Sequence, residues 1–255
     1  GEAAIATEAY TAHAYAKDIL KGRFVEGEEV MAQAPGLAFD YAKNIIGGRL
    51  TASAEEALAE ALIQRMGAAR SAADREYLEA MSRAVYDYID MAGEPLPALE
   101  PFFVSSLEHA LYYAQNALRG RFPAAESAIA ENADASLSYA IGLGEPFPAG
   151  EAQISRDGLA SYDYARQVIK GRFLAGEAAI ARSPHRSIAH AYVMEVVKGR
   201  VSPELEDRLT LNPQYAFDYA SVIGERFPAG EAAIAKSPGL SKSYFELTGI
   251  DLSQK

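Results

Sequence analysis

The sequence has no cysteine and no tryptophan among its 255 residues, and it has only four histidines. Without cysteine the chain has no disulfide, no thiol nucleophile and no thiolate metal site, which is typical of proteins from a reducing cytoplasm. No apolar run approaches the roughly 18 residues that span a bilayer, and the first residues do not show the regions of a signal peptide. We therefore expect a cytoplasmic protein without membrane contacts.

Positive charge is also scarce. Lysine and arginine together number 24 against 35 aspartates and glutamates, which gives a formal net charge of −11. The basic residues are spread singly along the chain, so no basic patch offsets this charge. Because such a chain repels the phosphates of nucleic acids, we expect no nucleic-acid partner.

Sequence motifs of known chemistry are absent as well. The chain has no His-Glu-x-x-His, no Gly-x-Ser-x-Gly and no phosphate-binding lysine loop. His13 and His190 occupy the same place in two distant sequence repeats, so they are not expected to share a metal, and His109 and His185 have no evident partners. We expect no metal, no cofactor and no enzymatic activity.

What the sequence does contain is a short recurring motif. Gly-Arg-Phe occurs at residues 22–24, 120–122 and 171–173, and related triplets occur elsewhere. A tyrosine lies eight or nine residues before the apolar residue of each triplet. The tyrosines of this series, most of them about 26 residues apart, are Tyr15, Tyr41, Tyr88, Tyr113, Tyr139, Tyr164, Tyr192, Tyr219 and Tyr244. Such a period is the signature of a repeat architecture.

Each sequence repeat is predicted to contain two short helices, the first of which begins after the apolar residue. Pro228 suits a first helical turn because proline needs no amide partner there, and a glutamate follows near the helix N-terminus. In five repeats this glutamate is Glu28, Glu126, Glu151, Glu177 or Glu231. The main buried positions of the first helices are predicted to be Ile5, Met31, Phe103, Ile129, Ile154, Ile180, Leu209 and Ile234.

The second helix carries the tyrosine, which we number as position 0. Positions −4, −3, 0, +1 and +4 are nearly always apolar or small and fall on one face of a helix, and Gly48, Gly120 and Gly171 lie at the expected C-cap. Because a helix of about 10 residues is marginal alone, neighbouring repeats must supply the burial. The pattern predicts an all-α fold, a right-handed α-solenoid of about nine helix-turn-helix repeats that forms a single domain over residues 1–255.

Two irregularities interrupt this pattern. One repeat carries about 20 extra residues, an insertion at about 54–86, where helical periodicity over 54–66 and 74–91 predicts two lengthened helices with Ser53 as a cap. A specific function and a neutral insertion explain this extra length equally well. The chain also starts in mid-repeat at Gly1, which favours a longer protein or a trimmed N-terminus, whereas the polar tail after Tyr244 favours a true C-terminal end.

The repeat resembles a known kind of sequence. The string from Arg226 to Pro238, Arg-Phe-Pro-Ala-Gly-Glu-Ala-Ala-Ile-Ala-Lys-Ser-Pro, and the string Tyr-Ala-Arg-Gln-Val-Ile-Lys-Gly from Tyr164 resemble short helical repeats in uncharacterised proteins of bacteriophages and large viruses. The resemblance covers nearly the whole chain outside the 54–86 insertion. It implies a helical repeat fold and a phage or prophage origin, and it implies no activity and no catalytic residue.

Arginine recurs at one place in the repeat. Four arginines precede a first-helix glutamate by five residues, in the pairs Arg23–Glu28, Arg121–Glu126, Arg172–Glu177 and Arg226–Glu231. The spacing favours a structural ladder in which each guanidinium binds a carboxylate. A row of anion-binding arginines is the alternative, although Pro95 and Pro146 replace the arginine in two repeats.

Acidic and aromatic residues provide the other candidate sites. The acid pairs Glu28-Glu29 and Glu55-Glu56 are expected on solvated helix ends. Positions −2 and −1 vary between repeats and flank the buried stripe, which is where repeat proteins commonly bind partners. The candidate partner-binding residues are Phe39, Asp40, Tyr86, Asp87, Tyr162, Asp163, His190, Phe217 and Asp218. The alternative is that the side chains at −2 pack against the next repeat.

These patterns predict only a general class of function. The leading hypothesis is a non-enzymatic scaffold that binds a protein or peptide partner, with an oligomeric state that the sequence leaves open. A small-molecule or nucleotide sequestering protein that counters a host defence is the first alternative, and it requires a pocket where the insertion folds back. A hydrolase or transferase is the second alternative.

Overall fold

The computed structural model describes residues 1–69 and 71–252, and over these residues the fold is all-α, without any strand. Helices account for 75% of the structure, which confirms the predicted fold class at the level of all-α. The α-helices in chain order are α1 Glu2–Ile5, α2 Ala9–Ala14, α3 Glu28–Ala32, α4 Pro35–Asp40, α5 Ala52–Ala68, α6 Ala72–Ala92, α7 Glu100–Phe103, α8 Leu107–Tyr113, α9 Pro123–Ala130, α10 Ala133–Leu143, α11 Glu151–Ile154, α12 Gly158–Tyr164, α13 Glu177–Arg182, α14 Arg186–Ala191, α15 Pro203–Leu209, α16 Pro213–Ile223, α17 Glu231–Ile234 and α18 Pro238–Thr248. Odd-numbered helices carry the glutamate, and even-numbered helices contain or lead into the tyrosine.

The chain divides into two compact halves, Gly1–Ala125 and Glu126–Lys255. Within each half the two helices of a repeat pack on each other and on the helices of the next repeat, as α3 does on α4 and α5, and α12 does on α13 and α14. None of the described helices is long and apolar enough to cross a membrane.

Five even-numbered helices end in a π-helix, and this explains why the tyrosine-to-triplet spacing takes two values. The π-helices are Tyr15–Leu20, Tyr41–Ile46, Ala114–Leu118, Ala165–Ile169 and Tyr192–Val197. Each belongs to a repeat with a nine-residue spacing, whereas α6, α10 and α16 stay α-helical and have a spacing of eight. A π-turn holds one more residue than an α-turn, so it accommodates the extra residue.

The predicted C-caps are wrong by one residue. The left-handed residue that ends the helix is Gly47, Arg119 or Lys170 rather than the glycine after it. In the π-turn the amide of Lys170 donates to the carbonyl of Ala165, and the amide of Gly171 donates to the same carbonyl at 3.1 Å. The wider turn therefore places its left-handed residue one step before the glycine that the pattern marks.

The core consists of the residues that the periodicity predicts. The tyrosines from Tyr41 to Tyr244 and the first-helix positions from Met31 to Ile234 are at most 2% exposed. Four of the buried tyrosines pack edge to face on the phenylalanine of the triplet that follows, as the rings of Tyr164 and Phe173 do at 5.1 Å. Ile5 and Tyr15, in the first repeat, are exceptions, because both are only half-buried.

The insertion lengthens both helices of its repeat, as predicted. The helices α5 and α6 have 17 and 21 residues, and the one inserted residue between them that lies outside the described residues is Arg70. The predicted cap at Ser53 is wrong, because α5 already begins at Ala52 after Thr51. A capping box between Ser71 and Asp74 begins α6, and α6 packs against α4 and α8.

Candidate functional site

A glutamate at or near the start of the first helix is the hydrogen-bond centre of each repeat. It accepts a hydrogen bond from the tyrosine hydroxyl of the same repeat in every member of the tyrosine series. The pairs are Tyr15–Glu2 (2.8 Å), Tyr41–Glu28 (3.3 Å), Tyr88–Glu55 (2.6 Å), Tyr113–Glu100 (3.1 Å), Tyr139–Glu126 (2.9 Å), Tyr164–Glu151 (2.8 Å), Tyr192–Glu177 (3.4 Å), Tyr219–Glu206 (2.5 Å) and Tyr244–Glu231 (3.2 Å).

Glu177 shows how this buried carboxylate is compensated. Its side chain is nearly fully buried. It accepts two hydrogen bonds from Arg172, at 2.6 and 3.0 Å, one from Tyr192, and one from the backbone amide of Ser202 in the next repeat at 2.8 Å. Charge-assisted donors of this number offset the desolvation of a carboxylate.

The contacts of these buried glutamates test two expectations drawn from the sequence. The structural ladder of arginines is confirmed for Arg23, Arg172 and Arg226, each of which pairs with the glutamate five residues on. The expectation of solvated acid pairs is wrong for Glu28 and Glu55, which are fully buried. The reason is that each of these two carboxylates is surrounded by hydrogen-bond donors from an arginine and a tyrosine.

The buried tyrosines keep their protons to unusually high pH. Burial raises the pKa of Tyr41, Tyr113, Tyr192 and Tyr219 to about 12. The neighbouring glutamate acts in the same direction in each case, because a carboxylate next to a phenol disfavours the phenolate. At neutral pH these tyrosines are therefore protonated and can donate their hydrogen bonds to the glutamates.

Two of the candidate partner-binding residues at position −1 bind a histidine of the preceding repeat. His13 Nε2 lies 2.7 Å from Asp40 Oδ2, and His190 Nε2 lies 2.8 Å from Asp218 Oδ2. Hydrogen bonds from Asn44 and then from His13 lower the pKa of Asp40. His190 also stacks on Tyr215 of the next repeat, with ring centroids 4.2 Å apart.

The candidate tyrosines at position −2 also contact the next repeat. Tyr86 donates to Glu108 at 2.7 Å and stacks on Tyr112 at 4.1 Å. Tyr162 donates to Glu195 at 2.7 Å. These side chains are half-buried, so part of each ring remains at the surface.

The last two candidates in the second half have mainly local contacts. Asp163 accepts hydrogen bonds from Arg166 and Gln167, both at 3.1 Å. Phe217 is half-buried on α16.

Three candidates meet in one cavity of the first half. Phe39, Asp40 and Asp87 line a cavity of about 280 Å³ between α4 and α6, where the insertion packs on the preceding repeat. Phe39 forms its wall and is itself only 7% exposed, with its ring edge to face against Tyr88 at 5.8 Å. The remaining lining residues are Gly36, Lys43, Ala80, Met81, Arg83, Ala84, Tyr88 and Met91.

Four further lining residues, Gly36, Met81, Arg83 and Met91, could not be identified as site residues from the sequence. The only sequence signal for them was the insertion itself, because the cavity arises where its long helix runs beside a shorter one. The place of a residue in the repeat does not predict which face of α6 packs against α4.

His109 is the most buried histidine of the structure's described part. Its ring lies 4.8 Å from that of Phe102, its Nε2 is 3.1 Å from Ser82 Oγ, and its Nδ1 has no partner among the described residues. Burial lowers the pKa of His109. Its surroundings are those of a neutral histidine in a packed core.

The described residues contain no group of three or more histidines, aspartates or glutamates placed to hold a metal ion. No family model, no curated protein and no solved structure matches the chain.

Proposed function

We propose that the chain is a non-enzymatic binding scaffold, a right-handed α-solenoid of about nine repeats that holds a protein or peptide partner. The recurrence of one tyrosine–glutamate hydrogen bond along the whole series supports the solenoid. The observation that carries the binding role is the cavity between α4 and α6. It brings Phe39 and Asp40 of one repeat together with Asp87 of the next, the repeat that departs from the pattern.

The cavity has the composition of a recognition site. Its floor is apolar, with two methionines and two aromatic rings, and its rim carries four charged side chains. Apolar anchors surrounded by a polar rim are typical of protein interfaces, and methionine adapts to partner side chains of different shape. We expect a partner to insert one apolar side chain into this cavity.

The experiment is affinity capture of partners with three forms of the chain. The wild type, Gly36→Leu and Gly239→Leu are each used as bait in an extract of the source cells, and retained polypeptides are quantified by mass spectrometry. Gly36 lines the cavity, and an added Cβ there meets no atom within 4 Å, so we expect a leucine to be accommodated and to occupy part of the cavity. Gly239 occupies the same register in the last repeat and is equally open.

The proposal predicts a polypeptide that the wild type and Gly239→Leu retain and that Gly36→Leu loses. Retention of the same polypeptides by all three baits contradicts a binding role for the cavity. Recovery of no polypeptide at all with any bait contradicts the scaffold.

A sequestering protein for small molecules is the second candidate function, and the same cavity favours it. A volume of about 280 Å³ lies just below the usual range of ligand pockets, which begins at about 300 Å³, and part of the cavity lining comes from the insertion. Native mass spectrometry of the purified chain distinguishes the two functions. A bound mass of a few hundred daltons, present in Gly239→Leu and absent in Gly36→Leu, would favour sequestering.

The origin of the protein and its cellular compartment are also part of the proposal. The sequence resemblance supports a phage or prophage origin, and the absence of cysteine supports a cytoplasmic site of action. We propose both together with the scaffold role.

A further inference from the structure

Two of the residues that line the cavity form an ion pair. Lys43 belongs to the π-helix that follows α4, and its Nζ lies 2.6 Å from Oδ2 of Asp87 on α6. Phe39 of α4 meets Tyr88 of α6, with the two rings edge to face. Gly36 and Arg83, both at position −5 of their repeats, line the same cavity.

The charges of the rim are satisfied with one exception. Asp87 is paired with Lys43, and Asp40 accepts hydrogen bonds from His13 and from Asn44. Arg83 is exposed and has neither an ion pair nor a hydrogen bond with a described residue. The one rim charge without a partner among the described residues is therefore the guanidinium of Arg83.

The apolar residues of the cavity indicate what kind of side chain it can bind. Met81, Met91, Phe39 and the ring of Tyr88 line the interior, and no atom lies within 4 Å of where a side chain on Gly36 would begin. The volume suits one leucine, methionine or phenylalanine side chain better than a large ligand.

We propose that this cavity binds a peptide segment of a partner protein in which a large apolar side chain is followed directly by an acidic residue. The apolar side chain enters between α4 and α6, and the carboxylate beside it pairs with Arg83. Guanidinium–carboxylate pairing provides both charge and geometry for such recognition. This inference rests on the proposed scaffold function and names the chemistry of its partner.

The test uses the methionines as reporters. The chain has five methionines, of which Met81 and Met91 line the cavity while Met31 is fully buried elsewhere in the same half. Protein labelled with ¹³C at the methionine methyl groups is titrated with end-blocked hexapeptides that differ only in one pair, Leu-Glu, Leu-Gln, Leu-Lys or Ala-Glu. Octanoate is titrated separately as a free apolar carboxylate.

We expect the Leu-Glu peptide to shift the methyl signals of Met81 and Met91 and to leave that of Met31 unchanged. Leu-Gln should bind about tenfold more weakly because it lacks the charge that pairs with the guanidinium, and Ala-Glu should bind more weakly still. Gly36→Leu should abolish the shifts, whereas Gly239→Leu should retain them. Arg83→Gln, at an exposed position, should remove the preference for Leu-Glu over Leu-Gln.

Each contrary result has its own meaning. Stronger binding of Leu-Lys than of Leu-Glu, or an unchanged preference in Arg83→Gln, overturns the acidic motif and leaves the scaffold function standing. Shifts produced by octanoate and by none of the peptides overturn both, and they indicate a small-molecule site. Shifts of Met31 equal to those of Met81 indicate binding outside the cavity and also overturn the inference.

Discussion

The backbone amide of Phe24 donates a 2.7 Å hydrogen bond to the hydroxyl oxygen of Tyr41. The same hydroxyl donates to Glu28, so one side chain joins the start of its repeat to the first helix. The equivalent amide bonds the next tyrosine in other repeats, for example Phe147 with Tyr164 at 3.0 Å. The tyrosine is therefore both a core residue and the group that satisfies a buried amide.

Replacing Tyr41 with phenylalanine tests this role. The change Tyr41→Phe keeps the ring and leaves a buried amide and a buried carboxylate each without one partner, so we expect a loss of about 1–3 kcal/mol in the free energy of unfolding. Urea denaturation followed by circular dichroism measures it. Tyr10→Phe is the control, because Tyr10 is 71% exposed, and a loss of equal size there would contradict the account.

The adjacent acids Glu28 and Glu29 provide a second, internally controlled test. Glu28 is buried and bonds Arg23, Tyr41 and the backbone amide of Thr51, whereas Glu29 is exposed. We expect Glu28→Gln to lower the free energy of unfolding by about 1–3 kcal/mol, since Arg23 is left without its charged partner. Glu29→Gln should change it by less than about 0.5 kcal/mol, and a similar effect of both would contradict the burial of the network.

The left-handed residues at the ends of the π-helices give a prediction of opposite sign. Lys170 has φ of +54°, a conformation that glycine adopts without strain. We expect Lys170→Gly to stabilise the chain by about 0.5–1 kcal/mol and Gly47→Lys, at the same place in another repeat, to destabilise it by a similar amount. Thermal denaturation measures both changes. Effects of the same sign would show that these turns do not have the left-handed backbone described.

Alkaline pH should unfold the chain through its buried tyrosines. A tyrosine whose pKa rises from 10 to about 12 on folding, such as Tyr41 or Tyr192, stabilises the fold fully below pH 10. This contribution is lost as the pH rises through about 12, because the unfolded chain releases the proton first. Absorbance at the phenolate band, recorded with circular dichroism, should show the buried tyrosines ionising together with unfolding. Their ionisation near pH 10 in a folded chain would contradict the predicted burial.

The helical periodicity was sufficient to predict the core. The series from Tyr41 to Tyr244 and the positions from Met31 to Ile234 follow from spacing alone, because a 3.6-residue period fixes the buried face of a helix. The pairing of Arg172 with Glu177 could likewise be predicted, since five residues connect the end of one repeat to the start of the next helix. The repeats with a spacing of nine residues are the ones that form a π-helix, but the spacing alone does not predict how the extra residue is accommodated.

The hydrogen-bond network and the cavity required the structure. Glu28 and Glu55 each stand beside a second acid, which in sequence is typical of a solvated surface, and only the packing shows the arginine and tyrosine donors around them. Pairs such as His190 with Asp218 depend on the register between helices of successive repeats, which no single repeat contains. The cavity depends on how α6 lies against α4, and this is determined by the insertion as a whole.

The most direct test of a binding role for the insertion is photo-crosslinking in the cells that produce the chain. A benzophenone amino acid is placed at Ala80, an exposed residue that lines the cavity, and in a separate protein at Glu60, an exposed residue of α5 outside it. The account predicts a covalent adduct with a polypeptide from position 80 and none from position 60. Equal adducts from both positions, or an adduct of small-molecule mass alone from position 80, would contradict it.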